Sequence, residues 1–598
     1  MGFYPPYNPD AIKNVDLYKG GFPARYGGRA AAVLDLTMKE GNNQKASQEL
    51  SVGVLASRFL AEGPIGKGRT SYLIAARQMN TGLIFLPQNI KLWTGGTVSN
   101  LTNLWFYDLN AKINHTFSDK SQLLFSAYHN NDFFKTAEQN PSNKSITSLN
   151  WGNLTSTLRY NRALAPRLFG KVTLGYSRFN YRMSSETSTK ITDDVITNSF
   201  TVRNTIQDWF VKAGLEYTPS PSYTLRVGGE QFWHRYYPGR VTVVESSHPE
   251  FDQPNASTPI YTQESAAYLE NDFQAGSAFR LNLGLRMAKL AVNGKTYPSM
   301  EPRLSMALAL SPRHTLKLGV SRMRQFMHQL TSNGVGIPND IWVPATERVP
   351  PVLAQQLDAG LYWQLGGKGD WHLSLEGYRK QLLGLIDYPQ GTDLVSDFKK
   401  NWQDLVITNV AGRVYGLEGM VQKKVGNLNG WLSYTYSVSR RQSFGINQGK
   451  WYPARYDRPH SLAAVLNYKI TPNWSVSTNF IYQSGFPVTL PVATVVGFNG
   501  EPTPVYTDRN NGRMPNYHRL DVGATYRFTT RRNREASWNF GVYNLYGRNN
   551  PYYLEPEAIK RQVDTPAGKP LVWQYDRIQI NKRAGLPILP YVSYQIKF

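Results

Sequence analysis

Hydrophobic and polar residues alternate along most of the chain with a period of two. In "FRLNLGLRM", Phe279, Leu281, Leu283, Leu285 and Met287 fall on one side, and Arg280, Asn282, Gly284 and Arg286 on the other. "TLKLGVS" sets Leu316, Leu318 and Val320 against Lys317, Gly319 and Ser321, and the final "YVSYQIKF" sets Val592, Tyr594, Ile596 and Phe598 against Tyr591, Ser593, Gln595 and Lys597. This is the period of a β-strand with one apolar face. The recurring segments are about ten residues long, the length a tilted strand needs to cross a bilayer.

The connections decide what these strands build. Ten are short and turn-like: "PIGKGR", "SDKS", "APR", "TPSPS", "AGSA", "SPR", "GGKGD", "VGNLN", "TPN" and "TTRRNREA". Between them lie long irregular segments such as "TSNGVGIPNDIWVPATERVP" and "LPVATVVGFNGEPTPVYTDRNNGRMP". Short and long connections alternate, as they do in a transmembrane barrel with tight turns at one end and loops at the other. A propeller or sandwich lacks that alternation. Ten hairpins supply twenty strands, one more follows the last hairpin, and one within "SQELSVGVLAS" precedes the first, so "SVGVLASRFLAEGP" must hold two short strands around a sharp bend. The expected fold is all-β, a transmembrane antiparallel β-barrel of about 22 strands, a size at which the lumen holds a plug. An even count places both chain ends at the short-turn end, which is expected to be periplasmic. Leu281, Leu283, Leu285, Leu316, Leu318 and Ile596 are expected to face lipid, and Arg280, Arg286, Lys317 and Lys597 the lumen.

Composition narrows the chemistry. The mean hydropathy is −0.44, and no run of ~18 apolar residues occurs, which excludes a membrane-spanning helix but not a barrel, whose faces average out. Aromatic residues form 13% of the chain, many near the ends of alternating segments, where interfacial girdles would put them. The absence of cysteine excludes disulfide frameworks, thiol nucleophiles and thiolate metal sites. A net charge of +24 suits an anionic partner: nucleic acid, a phosphate-rich membrane surface or an acidic substrate. The basic residues are scattered, "TTRRNRE" being the densest cluster, and no nucleic-acid-binding motif accompanies them, so nucleic acid is not expected. The nine histidines show no close pair at metal-ligand spacing. Ser484 in "YQSGFP" lacks the first glycine of a nucleophile elbow. No catalytic residue, metal or cofactor is expected. The opening "GFYPPYNPDAIKNVDLYKG" has none of the features of a secretory signal, so either the protein is not exported or the sequence begins inside a longer chain.

Residues 18–41, "YKGGFPARYGGRAAAVLDLTMKEG", hold a density of glycine that could suggest a phosphate cradle. Such a cradle lies between a buried strand and a helix. Here "YGGR" leads through Val33 and Leu34 into an extended alternating segment, and no Gly-Lys-Ser/Thr follows. "GPIGKGRTS" sits where a hairpin turn is needed. Nucleotide binding is therefore not expected.

"YKGGFPARYGGR" followed by "VLDLTMKEG" resembles the end of the plug domain of TonB-dependent outer-membrane receptors of the Bacteroidetes type. "YDRPHSLAAVLNYKI", "GFPVTLP", "NYHRLDVGATYRF" and "WNFGVYNLYGRNNPYYL" resemble the family's late barrel strands, and the terminal Phe598 its assembly signal. The resemblance implies that residues 1–43 are the C-terminal part of a plug domain and residues 44–598 the barrel. It also implies that a signal peptide, a TonB-binding segment and the rest of the plug precede this sequence in a longer chain. The plug motif is Gly20, Gly21, Pro23, Arg25, Tyr26, Gly27, Gly28 and Arg29. Family plug arginines pair with barrel glutamates, which makes Arg25 and Arg29 candidates, with Glu216, Glu230, Glu376 and Glu418 as lumen-side acceptors. Trp342, Trp402 and Tyr552, in loops, are candidate substrate aromatics. His460, in "DRPH", is expected to be structural.

The function implied is import of a large or scarce nutrient across a Gram-negative outer membrane. The alternative is a non-transporting structural subunit of an assembly or secretion complex. Outer-membrane lipid and lipopolysaccharide, and the TonB complex through the missing N-terminal segment, are the implied partners. The glycan- and peptide-importing branch adds a surface lipoprotein, which nothing in these residues requires.

Overall fold

The computed structural model describes residues 7–66, 68–80, 100–139, 143–191, 194–245, 258–331, 340–367, 370–390, 392, 400–496, 502–563 and 572–598. Twenty-two antiparallel strands close into one barrel. The first, Ser47–Gly53, pairs with the last, Leu589–Lys597, through Leu50 and Ile596, and the Phe598 amide donates to the Gln48 carbonyl at 2.8 Å. Closure leaves no unpaired strand edge, which a wall surrounded by lipid requires because lipid offers no hydrogen bonds.

All ten short connections join consecutive wall strands. The bend between Ser47–Gly53 and Ala56–Ile65 is as sharp as the sequence requires. The opposite end differs from the expected picture in two ways. Strands Phe279–Val292 and Lys295–Ser311 meet there in a two-residue hairpin rather than a loop. Its Asn293 (φ 46°) and Gly294 (φ 79°) are both left-handed, as a tight turn matched to strand twist requires. The segments read as irregular also carry their own sheets, Met327–Leu330 with Ile341–Pro344 and Ala493–Val496 with Pro502–Val505. A further hairpin pairs Pro551–Val563 with Val572–Ala584.

Strand length is the larger correction. Four consecutive strands, Asn143–Ala165, Leu168–Ile191, Asp194–Ser220 and Tyr223–Glu245, have 23, 24, 27 and 23 residues instead of about ten. At ~3.3 Å per residue and a tilt near 40°, 27 residues rise roughly 65–70 Å, about twice the ~30 Å hydrocarbon core. The upper parts of these strands therefore stand clear of the membrane, where water on both faces removes the apolar alternation that marks a membrane strand.

The wall faces follow the alternation. Leu283, Met287 and Val320 are exposed outward, whereas Arg286 is fully buried against Glu230 on the lumen side. Lys317 points inward, with its ammonium 4.0 Å from the Tyr362 ring centroid. Outward aromatics form two belts. Trp474 with Tyr526, and Trp538 with Tyr594, each have centroids 4.9 Å apart near the short turns. Tyr176, Trp209 and Trp233 lie directly opposite one another higher up. Such rings suit the interface because one end is apolar and the other tolerates water.

Inside the wall lies the opening segment. A turn at Pro9–Ala11, capped by Asn8, leads to strand Ile12–Tyr18, which pairs with Val33–Met38. Phe22 and Ala30, between those strands, are buried against Met323 and Ala354 of the wall. A second apolar cluster, Val202, Val241, Leu330, Ile341, Trp402 and Leu405 among others, ties the long connections together.

Candidate functional site

The loop 19–32 is held by side chains from many wall strands. Arg25 Nη1 lies 2.5 Å from Glu270 Oε1, whose side chain is fully buried. Glu270 also receives Arg226 at 3.4 Å and Asn282 at 3.3 Å. Burial opposes the charge on Arg25, but Glu270 and the neighbouring Tyr26 outweigh it and raise its pKa. Tyr26 donates to Asp35 at 2.5 Å, which closes the loop on its own sheet. From the wall, Arg303 donates to the carbonyls of Pro23 at 2.9 Å, Phe22 at 3.4 Å and Tyr26. Its guanidinium also lies 4.5 Å from the Phe22 ring centroid. Glu301, at 2.8 Å, balances its charge. Gln325 accepts from the Ala30 amide at 3.1 Å, and Lys380 donates to the Ala30 carbonyl at 2.9 Å. Three wall side chains thus satisfy loop backbone groups that have no sheet partner, as buried peptide groups require.

The glycines explain the close fit. A Cβ on Gly27 would overlap the Arg286 guanidinium, so a side chain there would have to displace the buried pair of Arg286 with Glu230. Gly28 adopts φ +70° and passes beside the Glu264 carboxylate, a backbone region that other residues enter only with strain.

The expected acceptors take other partners. Glu418 forms a short ion pair with Lys19 of the loop, and Glu376 stands 3.8 Å from the same ammonium. Glu230 binds Arg286 and, at 3.1 Å, Lys212. Glu216 binds Arg226 at 2.7 Å. The acceptor of Arg25 is therefore Glu270, which the sequence reading did not single out. Arg29 donates to the Gly28 carbonyl at 2.8 Å and meets no carboxylate among the described residues. Lys19, Arg303 and Glu270 were missed because alternation assigns a residue to the lumen face but not to a height or a partner.

Above this seat, toward the long-connection end, the lumen opens into a chamber of about 700 Å³. Arg455, Arg458 and Arg519 reach it, with Trp151, Tyr181 and Trp342 among the aromatic walls. Arg455 and Arg458 lie 4.9 and 5.5 Å from the Phe486 ring centroid, and Arg519 lies 4.2 Å from that of Tyr543. Burial lowers the pKa of both Arg455 and Arg458, a sign that their charge is poorly solvated. Asp340 is the one carboxylate among the lining residues and accepts from Tyr456. Trp342 is presented by Ile341–Pro344, fastened by Asn204 to the Trp342 carbonyl at 2.8 Å.

Of the three candidate aromatics, only Trp342 is seen in the chamber. Trp402 is 4% exposed and packs in the apolar cluster under the long connections, so it supports the chamber rather than lining it. Tyr552 lies in strand Pro551–Val563, and its side chain is outside the described residues. Arg455, Arg458 and Phe486 stand in or beside "YDRPH" and "GFPVTLP", stretches that offered the one sequence signal for this chamber. Asp457 anchors the first of these, with Arg513 at 2.5 Å and the Ser439 amide at 2.7 Å, and His460 bonds Tyr434 at 2.8 Å. No group of metal-ligating side chains occurs among the described residues.

A closed 22-stranded barrel with a strapped insert below a ligand-sized chamber is the build of a plugged outer-membrane import receptor. Residues 58–545 match the family described as TonB dependent receptor-like, beta-barrel, and the chain belongs to that family. Its members are transport receptors of the Gram-negative outer membrane that work with TonB, and the structural-subunit alternative is not favoured. No curated protein sequence matches the chain. Among solved structures it is similar to the siderophore receptor PirA from Acinetobacter baumannii, with TM-score 0.64, 15% identity, and coverage of 98% of this chain and 85% of that one. BauA, the ferric preacinetobactin receptor of the same organism, gives TM-score 0.63 at 12% identity over 99% and 86%. The ferripyoverdine receptor of the outer membrane of Pseudomonas aeruginosa gives 0.63 at 12% over 98% and 76%. At these identities the likeness is one of fold.

Proposed function

We propose that the chamber is the substrate site of this importer and that it takes an anionic solute bearing flat or aromatic groups. The observation that carries this reading is three arginines converging among aromatic rings, with Asp340 the one carboxylate among the lining residues and Arg519 braced by Asp521 at 2.9 Å. The poorly solvated guanidinium groups of Arg455 and Arg458 gain from an incoming anion, and the rings supply stacking area. Because the structural neighbours include siderophore receptors, an anionic ferric catecholate is the first solute to test. In this scheme residues 1–43 are the plug end and residues 44–598 the barrel. Both chain ends are periplasmic and the long connections face the cell exterior. Arg25–Glu270 and Lys19–Glu418 latch the plug until TonB, acting through a preceding segment, withdraws it.

The test is quenching of tryptophan fluorescence by ferric tris-catecholate in purified protein. Binding is expected in the parent and at least tenfold weaker binding in Arg458→Gln with Arg519→Gln. Equal affinity in parent and variant, or tighter binding of an uncharged glycan, would overturn the reading.

A further inference from the structure

The outer surface of the barrel carries a groove separate from the lumen. A groove of about 860 Å³ lies on the lipid-facing side, its outward walls formed by Leu269, Leu283, Leu285, Leu304, Val320 and Leu357. Arg322, Gln355, Arg379 and Gln381 edge it toward the long-connection end. Arg322 lies nine residues beyond Arg313 of one short turn, and Arg379 nine residues beyond Asp370 of the next. On strands tilted about 40°, nine residues rise ~23 Å, close to the ~25 Å height of a barrel's apolar band. Both arginines therefore sit at the upper edge of the hydrocarbon, with a deep apolar slot below them.

The same edge continues sideways. Arg322 is directly opposite Gln355, Gln355 opposite Gln381, Gln381 opposite Arg413, and Arg413 opposite Arg440. This row of donors crosses five neighbouring strands, ~19 Å at ~4.8 Å per strand. No acidic side chain among the described residues pairs with Arg322, Arg379 or Arg440, and Arg413 stacks on Trp451 with 4.2 Å to the centroid. Two outward arginines elsewhere on the wall are engaged. Arg178 donates to Asn180 at 3.2 Å, and Arg235 lies over Tyr237 and Tyr261. The outward positions of His460–Lys469, Trp474–Gln483, Tyr517–Thr529 and Glu535–Tyr543 hold no lysine or arginine. Unpaired cations above an apolar slot complement a molecule with a phosphate head and acyl chains.

We propose that this groove binds one phosphorylated, multiply acylated glycolipid of the outer leaflet, its phosphate held by Arg322 and Arg379 and an acyl chain seated along the leucines. Arg413 and Arg440 meet the rest of its polar head. The site rests on the orientation proposed above, in which the long connections face outward. Labelling of Phe444→Cys on intact cells tests that orientation separately, since Phe444 is 98% exposed in a long connection.

The experiment is native mass spectrometry of the protein in detergent, titrated with deep-rough lipopolysaccharide, its enzymatically dephosphorylated form, and phosphatidylglycerol. The parent is expected to retain one phosphorylated glycolipid at least tenfold more tightly than either of the other two. Arg322→Gln with Arg379→Gln should abolish that preference, while Arg178→Gln keeps it. Equal retention of phosphorylated and dephosphorylated glycolipid by the parent would overturn the proposal without any variant being needed. So would phosphatidylglycerol binding as tightly, or an unchanged preference in the double variant.

Discussion

Replacing Arg25 by alanine is the most direct probe of how the segment proposed as the plug end is held. Its Nη1 is 2.5 Å from a carboxylate that is fully buried, while the arginine side chain itself is 24% exposed. Breaking a fully buried pair costs ~3–5 kcal/mol because the remaining charge is stranded, and breaking an exposed one ~0–1 kcal/mol. Glu270 would not be wholly stranded, since Arg226 at 3.4 Å and Asn282 at 3.3 Å remain. A loss of ~2–3 kcal/mol follows, a shift of roughly 30- to 150-fold in the ratio of seated to loosened plug at 1.4 kcal/mol per tenfold. The barrel should stay folded, because its wall is held by its own ladder and Arg25 belongs to none of it. Single-channel conductance in planar bilayers reads the change, with frequent openings in Arg25→Ala against a nearly closed parent. Arg29→Ala is the internal control, since its bond to the Gly28 carbonyl latches nothing, and it should stay closed. If Arg25→Ala is as closed as the parent, or Arg29→Ala opens as often, the ion pair does not hold the plug.

Two further outcomes test the wall and the loops. Leu283→Arg places a charge on the lipid face, at a cost of ~2–4 kcal/mol near the midplane, and should lower assembly measured by heat-modifiable gel mobility, whereas Lys317→Gln inside the lumen should not; equal effects would contradict the face assignment. Trp402→Ala opens a cavity under the long connections worth ~3–5 kcal/mol, and should speed limited proteolysis there while the barrel's heat-modifiability is unchanged; weaker ferric catecholate binding with unaltered proteolysis would show instead that Trp402 touches the solute.

How much of this was legible in the sequence depended on how locally each feature is encoded. The ten turns and the faces of Phe279–Val292 are written in consecutive residues, because turn chemistry and a period of two act over a few positions. Asn293-Gly294 was just as legible as a hairpin signal, but it lies at the end where a loop was expected. The long strands between Asn143 and Glu245 were not legible beyond the bilayer, since a strand wet on both faces has no apolar side to repeat. The pairing of Arg25 with Glu270 joins residues 245 apart. It depends on the rotation of the plug within the lumen, which barrel closure sets and no local pattern records. Trp402 reads like an exposed loop aromatic until Val202, Val241 and Ile341 are seen around it.

The uneven strand lengths also bear on how cargo enters. On one flank the four strands from Asn143 to Glu245 rise as a continuous hydrogen-bonded parapet. Elsewhere around the rim the wall strands are shorter, from 7 to 19 residues, and lowest where Trp474–Gln483, Glu535–Tyr543 and Tyr517–Thr529 have 9 to 13. A ladder that long bends as a unit and cannot fold over the opening, whereas the separate hairpins around the lower rim can shift one at a time. The mouth is thus a slanted funnel with one stiff lip, and in the proposed import scheme the work of admitting and retaining cargo falls to the low side, beside Arg458 and Arg519.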